Sequence, residues 1–475
     1  MAQVTILNAG MCHQPGSEPA WARHQREKGF GIVEYYCWAP NQVLDLTPDG
    51  ENWNPHTESQ GSYERTLTKT FLQTLVKAFG RWGIDAYAMT TGMAALPGML
   101  DRPELAKYTA EGQPWVYNGK IYDDMRRYAV VCAAPYTLDF VREWGEEMAR
   151  SVDMFGWKGC RWDWGFVPDI PADPLGLDAN QQARFGADPE RTWHDARGVP
   201  VATLYPDGDR TGAELLRAWR QAVNRRHPGF VFGGNFNCSE ATQRKMPLYL
   251  RETTTRSLVL FEYLLDAARH YPTWQEWARN MTEDAQRARA NGGQPCIGSM
   301  RGYAAGGVAL ALSQYLMFSS GCHWNGGAGM PHGRDDSWRR FQFALRFADY
   351  YYDPGYVLLP EARRDAVSVA GEGRIFWKQF VFERRRKGLR ELAVHLLNLP
   401  ESDFIVMHHK PPAARRNVRV MLPLEAGEKL KRVVALLPDP GPRALPLEAK
   451  AADGVVAATL PELNQTAIIV MEATP

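Results

Sequence analysis

The sequence predicts an α/β protein: a (β/α)8 TIM barrel followed by a smaller antiparallel β-sandwich. Three observations predict it. Eight short apolar runs lie between residues 31 and 325, and amphipathic segments of helical period separate most of them. After residue 355 that period gives way to closely spaced strand-like runs. Parallel strands are buried on both faces, so an unbroken apolar run is their mark. Eight such strands with helices between them are what a closed barrel requires. At 475 residues the chain exceeds one ordinary domain, which leaves room for the second.

The strands are read at 31–38 (GIVEYYCW), 84–91 (IDAYAMTT), 128–134 (YAVVCAA) and 159–164 (GCRWDW), then at 230–236 (FVFGGNF), 247–252 (PLYLRE), 294–300 (QPCIGSM) and 320–325 (SGCHWN). Among the helices, 63–82 carries one stripe of Leu67, Phe71, Leu75, Phe79 and Trp82. Segment 137–155 opens on Thr137 as N-cap and carries Val141, Trp144, Met148, Val152 and Phe155. Segment 273–290 stops at Asn291-Gly292-Gly293, and 212–226, 306–319 and 337–350 complete the set. Residues 92–127 read as a long loop. Residues 1–29 are set apart as an N-terminal extension with one strand-like run (QVTILNAG), and the barrel is placed at 30–355. Beyond Tyr350-Tyr351-Tyr352-Asp353-Pro354-Gly355, the runs RIFWKQFVFERR, LRELAVHLLNLP, VRVMLPL, KRVVALLP and TAIIVMEA place the β-sandwich at 356–475.

Charge narrows the partners. With 55 basic and 54 acidic residues the net charge is +1, which gives neither nucleic acid nor an anionic membrane a reason to bind. The 16 Trp and 19 Tyr supply flat apolar faces of the kind sugar rings stack on. No run reaches the roughly 18 apolar residues of a membrane span. The seven cysteines are dispersed and form no CxxC pair, so buried free thiols are expected rather than disulfides. MAQVTILNAG lacks the charged and apolar regions of a signal peptide, which reads as cytoplasmic; a secreted chain whose leader had been removed would read the same. There is no P-loop, no GxGxxG after a strand and no GxSxG elbow. No cofactor and no metal site is expected. Asp207-Gly208-Asp209 reads as a surface turn, and oligomeric state is not legible.

In a barrel of this kind, polar residues at the carboxyl ends of the strands face the active site. Trp38 closes the first strand. The fourth ends Arg161-Trp162-Asp163-Trp164, where a carboxylate between two tryptophans is an expensive placement unless it serves a purpose or is paired with Arg161. Asn235 and Asn237 end the fifth, with Glu240 just beyond, and Arg251-Glu252 ends the sixth. Arg301 follows the seventh. His323, Trp324 and Asn325 end the eighth, before a glycine-rich loop that reaches His332. Glycoside hydrolysis needs two carboxyl groups, one ionised at the anomeric carbon and one protonated at the leaving group. Asp163 is the candidate nucleophile and Glu252 the candidate acid, with Glu240 held as a second acid. Trp38, Arg161, Trp164, Asn235, Asn237, Arg301, His323, Trp324, Asn325 and His332 are candidates for holding substrate.

These strand ends resemble glycoside hydrolase family 66, the dextranases and cycloisomaltooligosaccharide glucanotransferases. Gly156-Trp157-Lys158-Gly159-Cys160-Arg161-Trp162-Asp163 is similar to the family's G-x-x-G-x-x-x-D strand, whose Asp is the nucleophile. Leu248-Tyr249-Leu250-Arg251-Glu252 resembles its acid/base strand, Gly326-Gly327-Ala328-Gly329-Met330-Pro331-His332 its glycine-rich loop, and Glu391–Leu399 a strand of its C-terminal β domain. The likeness runs over about residues 30–410, without the family's immunoglobulin-like N-terminal domain and secretion signal. It implies a retaining hydrolase or transglycosylase of α-glucans, α-1,6-linked ones included, with Glu252 acting as acid and then base. Two alternatives stay open: an α-glycosidase of another linkage or sugar, α-galactosidase-like or α-glucosidase-like, and a non-catalytic carbohydrate-binding barrel. On each of these readings the partner is an oligo- or polysaccharide.

Overall fold

The structure is a computed structural model. It describes residues 7–9, 18–38, 52–53, 67–91, 111–112, 138–163, 194, 197–200, 208–236, 258–262, 273–298, 308–324, 337–404 and 410–475. Its first sheet has eight strands, all parallel and paired strictly in chain order. They are β1 (Leu7–Ala9), β2 (Ile32–Trp38), β3 (Asp85–Thr91), β4 (Gly159–Asp163), β5 (Val231–Phe236), β6 (Leu258–Glu262), β7 (Gln294–Gly298) and β8 (His323–Trp324). An order that never reverses puts every carboxyl end on one edge and leaves no switch point of the doubly wound kind.

The number of strands agrees with the sequence reading, but two members differ. Strands β3 and β4 pair directly, from Tyr87–Gly159 to Thr91–Asp163, where the sequence reading set the run 128–134 between them. The sixth position, read at 247–252, is held among the described residues by β6 at Leu258–Glu262, which pairs with both β5 and β7. The runs 128–134 and 247–252 themselves lie outside the described residues. Leu7–Ala9, set apart in the N-terminal extension, pairs with Ile32–Glu34 and opens the sheet.

Helices α1 (Glu18–Glu27), α2 (Lys69–Arg81), α3 (Leu138–Phe155), α4 (Gly208–Asn224), α5 (Trp274–Ala290), α6 (Val308–Ser319), α7 (Ser337–Arg346) and α8 (Ala348–Tyr352) follow. Their buried stripes, including Leu72, Leu75 and Phe79 of α2 and Met148, Val152 and Phe155 of α3, form one core with the outward residues Val33, Ala86, Ala88, Cys160, Phe232 and Val259. Helix α5 shows how local sequence sets an end. The Thr273 hydroxyl accepts from the Glu276 N–H at 3.2 Å, and Gly292, at φ +82°, turns the chain out beyond Asn291. The opposite face of the sheet has its own small core of Ile32, Tyr87, Leu258 and Cys296, with Val231 against it. These two clusters distinguish the faces. Residues alternate between them with a period of two.

The C-terminal region holds two antiparallel sheets. Strands β9 (Val357–Leu358), β10 (Ser368–Ala370), β11 (Ile375–Phe376), β12 (Val381–Arg386) and β13 (Leu389–Asn398) come first. They are followed by β14 (Arg415–Pro423), β15 (Lys429–Leu437), β16 (Arg443–Leu447), β17 (Ala449–Ala452), β18 (Val455–Leu463) and β19 (Thr466–Thr474). One sheet runs β9-β12-β13-β19-β15-β16 with β11 beside β13, and the other runs β10-β14-β18-β17. A four-residue helix, Glu361–Arg364, interrupts a region read as all strand. Leu392, Val394, Ile469 and Met471 of the first sheet share a core with Val418, Val420, Val456 and Leu460 of the second. The first sheet's other face, with Phe382, Ala393, Leu397, Ile468 and Val470, joins the core beneath helices α6 to α8. Strand β13 is therefore buried on both faces, which is why LRELAVHLLN carries apolar residues on both, Leu392 and Val394 on one and Ala393 and Leu397 on the other.

Candidate active site

The segment ending at Asp163 is built by its glycines. Gly156 closes α3 in the left-handed region, at φ +80°, and its N–H donates to the Val152 carbonyl at 2.7 Å. Gly159 needs close approach: a Cβ there would lie 2.6 Å from the Val231 carbonyl oxygen and 2.8 Å from the Tyr87 ring. Thus both glycines of the G-x-x-G-x-x-x-D pattern have architectural reasons, the first a turn and the second room for a tyrosine. Asp163 is the last residue of β4, opposite Thr91 of β3.

Cys160 belongs to the outer core, so positions 159, 161 and 163 share the inner face. By the same alternation Asn235 shares that face with Val231 on β5, and Glu262 shares it with Leu258 on β6. Polar positions 163 and 262 thus end their strands, and 235 stands one residue short of the end of the strand between them, on one face. Glu262 was not among the sequence candidates. Its signal was present in LVLFE, an apolar strand closed by a carboxylate, the same pattern sought at 247–252.

Below this edge Arg161 is not open to a ligand. It is buried, and its Nε donates to the Oε1 of Glu34 at 2.7 Å. Glu34, fully buried on β2, was also missed, although a lone carboxylate inside IVEYYCW is the anomaly that singled out Asp163. Tyr87 lies between the two strands, and burial together with nearby Asp85 pushes its phenol well up. The buried free thiols of Cys160 and Cys296 are raised for the same first reason, desolvation.

Two further candidates of the eighth strand lie in packed surroundings. Trp324 is buried in the outer core, 5.4 Å from the ring of Phe341 on α7, so it fills space between sheet and helix rather than stacking on a sugar. His323 is also buried. It lies beside Cys296 on β7 and stacks on Tyr352 at 4.2 Å, within the packed interior. Trp38 ends β2 and Asn235 lies in β5, so the backbone of each is placed at a strand end. Trp164, Asn237, Glu240, Glu252, Arg301, Asn325 and His332 lie outside the described residues.

The chain's fold is shared with solved carbohydrate-active proteins. A Paenibacillus sp. cycloisomaltooligosaccharide glucanotransferase, complexed with cycloisomaltoheptaose, matches 98% of the chain and 85% of its own length with a TM-score of 0.71 at 10% identity. The maltogenic α-amylase AmyB of Thermotoga neapolitana covers 97% of the chain and 98% of itself, with a TM-score of 0.54 at 10% identity. Trehalose-6-phosphate hydrolase of Bacillus licheniformis covers 100% and 99%, with a TM-score of 0.54 at 11% identity. No protein-family model and no curated protein matches the sequence. The likeness is one of fold: an eight-stranded parallel sheet with antiparallel β-structure after it, the architecture of glycosidase barrels.

Proposed function

We propose that the chain is a glycoside hydrolase or transglycosylase of α-glucans, α-1,6-linked ones included, with Asp163 as nucleophile and Glu262 as acid/base. The supporting observation is that both residues end apolar strands on one face of the sheet, two strands apart. Trp162 is level with Gly234, and Gly234 with Val259, so position 163 is level with 260 and Glu262 stands one inward position further on. At strand spacings of about 4.8 Å and rises of about 3.3 Å per residue, their Cα atoms lie about 12 Å apart. Glu252 precedes β6 instead of ending it, and active-site residues sit at carboxyl ends. The fold shared with a glucanotransferase and an α-amylase supports the substrate class.

The test is product analysis against dextran, isomaltooligosaccharides, starch, and nitrophenyl α-glucoside and α-galactoside, with Asp163→Asn, Glu262→Gln and Glu252→Gln alongside. Isomaltooligosaccharides released from dextran, lost in Asp163→Asn, support the reading. Glu262→Gln should slow natural glycosides far more than substrates with good leaving groups, which need little acid help. If Glu252→Gln shows that selectivity instead, the acid assignment moves back to it. Cleavage of another α-glycoside alone keeps the mechanism and discards the substrate. Silence on the whole panel favours a carbohydrate-binding barrel without catalysis.

A further inference from the structure

Three large apolar side chains stand exposed among the described residues: Trp82, Val357 and Phe404. Single exposed apolar residues are ordinary on a protein surface, so place and fixation decide which of them matters. Trp82 lies between the end of α2 and the start of β3, at the amino edge of the parallel sheet. Val357 belongs to β9 of the antiparallel sheet. Phe404, 61% exposed, forms an antiparallel bridge with Thr273, the N-cap of α5. Residues 291–293 join α5 to β7 at the amino edge, and the two pack against each other. The 17 residues of α5 span about 25 Å and the five of β7 about 15 Å, so Thr273 stands about 10 Å beyond the carboxyl end of β7. Asp163 and Glu262 end on that same edge, and β6, which Glu262 closes, is the strand that precedes α5 in the chain.

The turn that carries Phe404 is held from several sides. The Asp403 carbonyl accepts the Trp274 N–H at 2.9 Å, one of the donors that a helix start leaves without an internal partner. The Asp403 carboxylate pairs with Arg374 at 2.8 Å, and the same guanidinium donates to the Glu401 carbonyl at 3.1 Å. The Phe404 N–H donates to the Ser402 hydroxyl at 3.2 Å. Glu401 and Ser402 are themselves exposed, so a carboxylate and a hydroxyl lie close along the chain to the aromatic ring. A sugar ring has an apolar C–H face and a rim of hydroxyls, which a flat aromatic face with polar neighbours complements. A side chain on a turn already ordered loses little further freedom when a ligand covers it.

We propose that Phe404 is a stacking platform for a glucose unit remote from the cleaved bond, so that the C-terminal region helps to hold long chains; this rests on α-glucan being what the chain takes. Binding made away from the reacting bond is equal in ground and transition states, so it acts on KM and not on kcat. The test compares Phe404→Ala and Phe404→Trp with the wild type on dextran, soluble starch and nitrophenyl α-glucoside, whose single sugar at the strand ends falls short of the helical layer. Phe404→Ala should lower the ratio of kcat/KM on the polymer to that on nitrophenyl α-glucoside about fivefold, through KM. Phe404→Trp should bring the ratio back to the wild-type value or above it. Both variants should melt within about 2 °C of the wild type, since the side chain is exposed. Polymer binding is also titrated calorimetrically on the whole Asp163→Asn chain, with and without Phe404→Ala. A chain that cleaves nothing but binds the polymer about fivefold more weakly without Phe404 keeps the platform and discards the glycosidase reading. An unchanged ratio, with either no loss on any substrate or an equal loss on all, overturns the platform and leaves that reading standing. A chain that neither binds nor cleaves dextran or starch overturns both.

Discussion

His395 of β13 meets the ring of Tyr351 edge-on, with ring centroids 5.1 Å apart, where the first antiparallel sheet lies against the helical layer. Phe382 flanks its other side at 5.2 Å. Burial in this aromatic setting pushes the imidazole down to about 3. The unfolded chain takes up a proton near pH 6.5 and the folded chain does not, so stability falls as pH drops from about 6.5 towards 3, by at most about 1.4 kcal/mol per pH unit. His395→Leu should flatten this stretch of the Tm-against-pH curve. A wild-type slope in that variant would assign the acid sensitivity elsewhere.

A second acid-sensitive group lies at the junction between α8 and β9. Arg384 donates to Asp353 at 2.6 Å and to Glu391 at 2.6 Å, and its guanidinium lies 4.2 Å from the centre of the Tyr356 ring. Burial works against charge on Asp353, but the Gly355 N–H and Arg384 outweigh it and hold the carboxyl below its usual range. Its contribution is present above the ordinary carboxylate pKa and is lost as pH falls through the lowered one. This window lies below that of His395. Arg384→Met leaves the buried Glu391 without this partner and should destabilise by about 3–5 kcal/mol in denaturant melts. A loss under about 1 kcal/mol would show that the junction is held by apolar packing alone.

The two glycines before Asp163 should respond differently to alanine. At Gly156 the added Cβ meets nothing closer than Val76 at 3.9 Å, so only the positive φ opposes it, at about 1–2 kcal/mol. At Gly159 it would press on a carbonyl oxygen and the Tyr87 ring, and overpacking of this kind typically costs about 1–3 kcal/mol, occasionally more. Because the strain at Gly159 falls on β4 itself, Gly159→Ala should also reduce kcat. Equal activity in the two variants would show that strain there does not reach Asp163.

Trp324→Ala should lower stability by about 3–5 kcal/mol while leaving KM near that of the wild type, as its place in the outer core dictates. A raised KM at a temperature where the variant is folded would return this tryptophan to the site.

What the sequence revealed and what it concealed follow one physical line. Helix α5 was legible at both ends because each end is set by neighbours in sequence, Thr273 with Glu276 at the start and Gly292 just past the stop. Strand β13 was legible because burial on both faces leaves the apolar stretches Leu392–Val394 and Leu396–Leu397 in consecutive positions. The choice between 247–252 and Leu258–Glu262 was not legible. Each is a short apolar run closed by glutamate, and what places Leu258–Glu262 in the sheet is its pairing with β5 and β7, which no local pattern carries. Arg161 was expected beside a ligand or Asp163, but its partner Glu34 is 127 residues away in sequence. The face of Trp324 was not legible because period two assigns a face only once another residue of the same strand has been placed.

The antiparallel sheet beside the helices has its last strand at its centre: β19 pairs with β13 on one side and β15 on the other. The parallel sheet can add strands one by one as the chain leaves the ribosome, since each pairs with its predecessor. The region after it has no such freedom. Until Thr466–Thr474 has been synthesised, β13 and β15 each expose an unpaired edge and much of their apolar surface. A ribosome stalled a few codons short of Thr466 would therefore hold a chain with its parallel sheet in place and an adhesive gap, which a chaperone would have to cover.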